Sequence, residues 1–113
     1  MTESTPLLVV TDETFEAEVI RSLLPVVVDF YADWCAPCKT ADPVLEELSS
    51  HLAGRVKFAK VNVDESDVIT RSFGIHSIPT YLFVERGREK GREIGAVGPV
   101  EFRTILKRYF TFA

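Results

Sequence analysis

Residues 26–39 read Val26-Val27-Val28-Asp29-Phe30-Tyr31-Ala32-Asp33-Trp34-Cys35-Ala36-Pro37-Cys38-Lys39. The first seven form a continuous β-branched and aromatic run, the pattern of a central strand covered on both faces. Beyond it, Cys38, Ala41, Leu45, Leu48 and Leu52 recur at alternating steps of three and four, which predicts an amphipathic helix ending near Gly54. That helix begins at the two cysteines, the only ones in the chain. Pro43 inside it predicts a kink. A core strand therefore runs straight into a helix, with two thiols at the junction and one misfit, Asp29, in the strand behind them.

The flanking segments extend this frame. Upstream, residues 7–10 suit an edge strand. Thr11 reads as the N-cap of a helix, with Asp12 and Glu13 in its first turn, Phe15, Val19, Ile20 and Leu23 on its buried face, and Pro25 closing it. Downstream, residues 56–63 read as a second core strand and 64–73 as a short helix stopped by Gly74. Residues 81–85 and 89–96 form a hairpin across Arg86-Gly87-Arg88. Gly98-Pro99 opens a last helix whose buried face is Phe102, Ile105, Leu106 and Tyr109. The order β-α-β-α-β-α-β-β-α predicts an α/β fold, a central mixed β-sheet flanked by helices on both faces, in a single domain over residues 1–113.

Composition narrows the function. The 113 residues are 46% hydrophobic and 27% charged, ordinary for a soluble globular domain. A net charge of −4 argues against a nucleic-acid partner. The basic cluster at 86–92, interrupted by two glycines and a glutamate, reads as a solvated turn. No apolar run approaches the ~18 residues that span a bilayer. The first ten residues, MTESTPLLVV, lack the basic start and apolar length of a secretory signal. The expected address is the reducing cytoplasm, where a two-cysteine motif is catalytic or metal-binding more often than structural.

A Cys-x-x-Cys pair offers half of a tetrahedral metal site, and the remaining candidates, His51 and His76, are isolated and without ligand spacing. No native metal is expected. A bond closing so short a loop removes little chain entropy, so a structural staple is a poor use of it. Reaction fits better. Cys35 falls at the helix start, where unpaired N–H groups and the dipole stabilise a thiolate, the nucleophilic form. Cys38, one turn later on the apolar stripe, points inward and is placed to resolve a mixed disulfide formed at Cys35. Pro37 fixes φ between them without removing a needed donor. Lys39 adds a positive charge near Cys35. Asp29, inside Val-Val-Val-Asp-Phe, costs several kcal/mol by order of magnitude unless paired or protonated, which marks it as a candidate functional residue.

VVVDFYADWCAPCK, KFAKVNVD, FGIHSIPTYLFVERG and EIGA resemble the thioredoxin family, in order and along nearly the whole chain. The resemblance implies the following roles. Cys35 corresponds to the exposed nucleophile and Cys38 to the buried resolving thiol, the two forming the redox-active disulfide. Asp29 corresponds to the buried aspartate that carries the proton of the second cysteine, with Lys60 as its lysine partner. Pro79, after Ile78, corresponds to the cis-proline facing the disulfide. Trp34, Ala36, Pro37, Ile78, Gly95 and Ala96 correspond to parts of the apolar surface that receives substrate. Two positions depart from the pattern: Ala36 replaces the usual glycine, and Tyr31 stands where a second tryptophan is common. Alanine favours helix by ~0.5–1 kcal/mol over glycine, so the chemistry should survive the first.

The expected activity is reduction of protein disulfides by dithiol exchange. The resemblance implies re-reduction by a flavin-dependent thioredoxin reductase drawing on NADPH. The chain has no dinucleotide fingerprint of the G-x-G-x-x-G kind, so it needs no bound cofactor of its own. A monomer is expected. Two rivals are an oxidant or isomerase of the same fold working outside the cytoplasm, and a binding subunit that uses the apolar surface and not the thiols.

Overall fold

A computed structural model describes residues 7–111. Residues 1–6, part of the stretch read for a leader, lie outside the described residues. Among those described, five strands form one sheet: β1 (Leu8–Val9), β2 (Val26–Tyr31), β3 (Lys57–Asn62), β4 (Thr80–Glu85) and β5 (Arg88–Ile94), in the spatial order β1-β3-β2-β4-β5. β1 and β2 each run parallel to β3, while β4 is antiparallel to both β2 and β5. The strand with the longest β-branched run therefore occupies the centre, as its lack of polar alternation requires.

Three α-helices cover the faces: α1 (Ala36–His51), α2 (Asp67–Ser72) and α3 (Pro99–Tyr109). Alternation along the strands divides the core in two. Val27, Phe58, Tyr81 and Phe83 pack against α1 and α3 through Ala41, Leu45, Leu48, Phe102, Ile105 and Leu106. On the opposite face Val26, Val28, Phe30, Ala59, Val61, Leu82 and Val84 meet Phe15 and Val19, with Ile69 of α2 against them. Pro43 lies within α1 and does not end it. The β4–β5 hairpin turns on Arg86 at φ 53° and Gly87 at φ 77°, a two-residue loop whose left-handed backbone matches the strand twist. The strands thus resume at Arg88, one residue earlier than expected from sequence.

The largest departure is the first helix. Instead of an α-helix capped by Thr11, the segment is a five-residue π-helix, Glu16–Ile20, closed by the Arg21 N–H donating to the Glu16 carbonyl at 2.9 Å. The Thr11 side chain does not cap it; the Thr11 N–H instead donates to Thr14 Oγ1 at 2.9 Å. Phe15 and Val19 are buried as expected, but Leu23 is 100% exposed. The helix ends before Leu23, and the wider turn breaks the 3.6-residue register that would have carried it inward. The Asp12 carboxylate, expected in that first turn, accepts instead from the Val68 and Ile69 N–H groups at 3.3 and 2.9 Å, capping α2. α2 itself starts three residues later than read from sequence, because residues 63–65 form a turn and Ser66 is the N-cap. Tyr109 is half-buried against the α1–α3 core and is not part of its sealed interior.

Candidate active site

The site is assembled where β2 leaves the sheet. Cys35 has extended backbone (φ −90°, ψ 106°) and caps α1; its Sγ accepts from the Cys38 N–H at 3.3 Å. The chain takes this shape because the Cys35 N–H turns back to the Ala32 carbonyl at 3.2 Å and Pro37, in the first helical turn, offers no donor that would need a partner. Cys35 and Cys38 form a disulfide, with Cα atoms 5.3 Å apart. The expected contrast in exposure is weak: Cys35 is 4% and Cys38 2% exposed. Both sulfurs sit in a small apolar cluster with Ala32, packed against Tyr31, Val63 and Ile78. Position on the helix, one residue capping and the other facing inward, distinguishes them instead.

A rim surrounds the cysteines. Trp34 is 70% exposed, and its indole N–H donates to Asp64 Oδ2 at 2.8 Å. Asp64 is positioned in turn by its own N–H, bonded to Asn62 Oδ1 at 2.9 Å. Ala36 and Pro37 are exposed at the head of α1. The Ile78–Pro79 peptide is cis, and the Pro79 carbonyl accepts from the Gly95 N–H at 2.8 Å, which ties the loop before β4 to the end of β5. Gly95 has φ 98°, a backbone only glycine adopts without strain, and Ala96 beside it is exposed. Trp34, Ala36, Pro37, Ile78, Gly95 and Ala96 are thus at least partly open to solvent, while Pro79 is buried among them. The cavity of about 620 Å³ between α1 and α3, with Leu48, Leu52, Leu106 and Phe110 in its walls, lies at the other end of α1. Around the cysteines the surface suits a polypeptide more than a small enclosed ligand.

Behind the disulfide lies a buried polar cluster. Asp29 of β2 is in register with Lys60 of β3 on one side and Tyr81 of β4 on the other. All three side chains therefore stand on the sheet face that α1 covers. Asp29 is 2% exposed, and neither of its carboxylate oxygens has a hydrogen-bond partner. Burial pushes its carboxyl up to about 7, the Lys60 ammonium pulling downward and the Asp42 carboxylate pushing further up. The Tyr81 hydroxyl is buried and unpartnered too, and burial followed by the same two carboxylates raises it above the ordinary phenol value.

Lys60 does not bond Asp29. Its ammonium pairs with Asp42 Oδ2 at 3.2 Å and lies 4.2 Å from the Tyr31 ring centroid. The reason is desolvation: Asp42 is partly open to solvent on α1, so pairing there costs less than pairing in the sealed interior. Asp42 and Tyr81 were not singled out from sequence. The available signal was Asp42 four residues after Cys38, hence on the same helix side as a buried thiol. Among the described residues, no group of three or more His, Cys, Asp or Glu is disposed to hold a metal.

Comparison with known proteins agrees with this geometry. The family model described as Thioredoxin matches residues 6–108. A thioredoxin of Rickettsia bellii is 46% identical over 86 residues, covering 76% of this chain and 82% of that protein. One of Haemophilus influenzae is 37% identical over 100 residues, covering 88% and 94%. The chloroplastic thioredoxin M2 of Arabidopsis thaliana is 40% identical over 106 residues, 94% of this chain and 57% of that longer protein. With its sheet order, its helix-capping cysteine disulfide and these relatives, the chain belongs to the thioredoxin family and is a thiol–disulfide oxidoreductase.

Proposed function

We propose that the protein reduces protein disulfides, with Cys35 as attacking thiolate, Cys38 as resolving thiol and Asp29 as the acceptor of the Cys38 proton. The observation that carries the assignment is the N–H of Cys38 aimed at Cys35 Sγ at the head of α1. In the reduced chain the same donor and the helix dipole favour negative charge on Cys35 and on no other thiol. Cys35 thiolate attacks one sulfur of the substrate disulfide; that bond breaks, a mixed disulfide forms, and the first substrate thiolate takes a proton from solvent. Cys38 then gives its proton to the Asp29 carboxylate and attacks Cys35 Sγ. The mixed disulfide breaks, the Cys35–Cys38 bond forms, and the second substrate thiolate leaves. Two electrons pass from the protein dithiol to the substrate.

A carboxyl pushed up to about 7 is matched to this task, since a base is most useful when its proton affinity lies near the working pH. Lys60 tunes that affinity by its charge. Pro79, with Trp34, Ala36, Pro37, Ile78, Gly95 and Ala96, forms the surface that receives substrate and, in turn, a thioredoxin reductase. A reductant of this kind fits a reducing compartment, and the cytoplasm is the address we assign. No helix among the described residues is long and apolar enough to cross a membrane. One domain acting as a monomer is the working unit: β1 is only two residues long, and β5 carries Arg88, Glu89, Lys90, Arg92 and Glu93, charges that discourage pairing of sheet edges. Reduction of insulin with a thioredoxin reductase and NADPH tests the proposal. Turnover should need both cysteines; absence of insulin reduction by the unmodified chain would overturn the proposal and favour the binding-subunit rival.

A further inference from the structure

The polar cluster beneath the disulfide contains a second carboxylate, Asp42, that the exchange steps above do not use. Asp29 is faced from β3 by Lys60, from β4 by Tyr81 and from α1 by Asp42, and Cys38 is buried one helical turn before Asp42 on the same helix. Of these, Lys60 is the cation, and it is its register that places it beside Asp29 on the adjacent strand. Its ammonium is nevertheless held by Asp42 Oδ2, while Asp42 Oδ1, Tyr81 OH and both Asp29 oxygens remain buried without partners. One cation thus stands between two carboxylates and bonds only the outer one.

We propose that Asp42 is a positioning residue: by holding the Lys60 ammonium and placing its own charge beside Asp29, it sets the pH range over which Asp29 exchanges a proton with Cys38. Both effects act in one direction. An anion near a carboxylate disfavours its ionised form, and a cation held by Asp42 stabilises that form less than one turned to Asp29 would. Removing the Asp42 charge leaves Lys60 without its ion-pair partner and free to turn to its cross-strand neighbour, so Asp29 should ionise at lower pH. The inference rests on the relay reading of Asp29, and the test separates the two.

Asp42→Asn keeps the shape and removes the charge. The Asp29 carboxyl is followed by carbon-13 NMR in the oxidised protein, a readout independent of turnover, and the decay of a mixed disulfide at Cys35 is followed across pH. The expected result is a downward move of about one pH unit or more in both midpoints, since an opposite charge within ~4–6 Å lowers a carboxylate by roughly 1–3 units. Asp42→Ala should do the same, and Asp42→Glu should restore the parent midpoint. In an Asp29→Asn background, adding Asp42→Asn should leave the decay profile where it was. Lys60→Met, with both carboxylates intact, should move the Asp29 midpoint upward. A midpoint unmoved by Asp42→Asn, or moved equally by Asp42→Glu, overturns the proposal; loss of rate at every pH without a shift has the same meaning, because a merely structural role acts that way. If Asp29→Asn alone leaves the decay profile of the parent, it is the relay reading that fails, and the NMR midpoint still decides the influence of Asp42.

Discussion

Asp29→Asn should stabilise the oxidised protein, and by an amount that depends on pH. The carboxyl is raised from 3.8 to about 7 on folding, mainly because burial penalises its charge. The native state therefore holds this proton more tightly than the unfolded chain does. Stability from the protonated group is complete below about pH 4, is lost as pH rises toward 7, and stays lost above it. A difference of about 3 units at ~1.4 kcal/mol each amounts to about 4 kcal/mol between the two limits. Asparagine mimics the protonated acid, so variant and parent should nearly match at pH 4 and diverge with a slope approaching ~1.4 kcal/mol per unit through pH 5–7. At pH 8 the midpoint of thermal unfolding should lie roughly 15 °C above that of the parent, taking ~4 °C per kcal/mol for a domain of this size. Urea unfolding followed by far-ultraviolet circular dichroism at pH 4, 6 and 8 measures it. A stability difference that is constant with pH, or largest at pH 4, would refute the account of Asp29 as a carboxylate that costs stability when ionised.

The two cysteines should differ in kind: Cys38→Ser traps a disulfide substrate as a lasting mixed disulfide at Cys35, whereas Cys35→Ser forms none, and mass spectrometry showing adducts at Cys38 would reverse the assignment. Reduction should brighten the emission of Trp34, the only indole, because a neighbouring disulfide quenches it. Titrating that emission against dithiothreitol should give a potential nearer about −270 mV, the reference for thioredoxin itself, than about −180 mV, that of protein disulfide isomerase, both taken as given. Ala36 brings no charge to shift it, so a value at the isomerase end would favour an oxidant. Gly91→Ala should cost about 1–3 kcal/mol, because its Cβ would run into the Tyr109 ring, which is held by the Tyr109 hydroxyl donating to Glu93 at 3.0 Å. Unchanged urea unfolding would show that the ring moves freely.

Local patterns were legible where one segment carried its own information. The run at 26–31 could only be a central strand, the 3-4 spacing from Cys38 could only be a buried helix face, and Pro99 after Gly98 marked a helix start. What escaped depends on partners far along the chain. Asp12 looks like a first-turn acid until α2, 56 residues on, is seen to need its carboxylate. Leu23 continues a helical stripe on paper, and only the π-helical closure at Arg21 ends it. In the site, Asp29 stood out because a lone acid in an apolar strand is conspicuous. Lys60 was legible as a cation near it, but its choice between two carboxylates turns on their relative exposure, which appears only when α1 is laid over the sheet. The near-equal burial of Cys35 was hidden for the same reason: Ile78 and Val63 arrive from distant segments to cover it.

The Asp12 clasp has a consequence for how the molecule comes into being. α2 has no side-chain cap of its own and buries none of its six residues completely. Its first turn is held from the loop at Asp12, which leaves the ribosome more than fifty residues before the helix it serves. At roughly 5–20 residues per second, that loop waits for seconds before α2 exists to be fastened. A helix so held is expected to open before the core strands do, and its opening would loosen the segment leading to Ile78 and Pro79. Exchange of the Val68 and Ile69 amides with solvent deuterium would therefore report on the freedom of the loop over the disulfide, from a place that never touches sulfur.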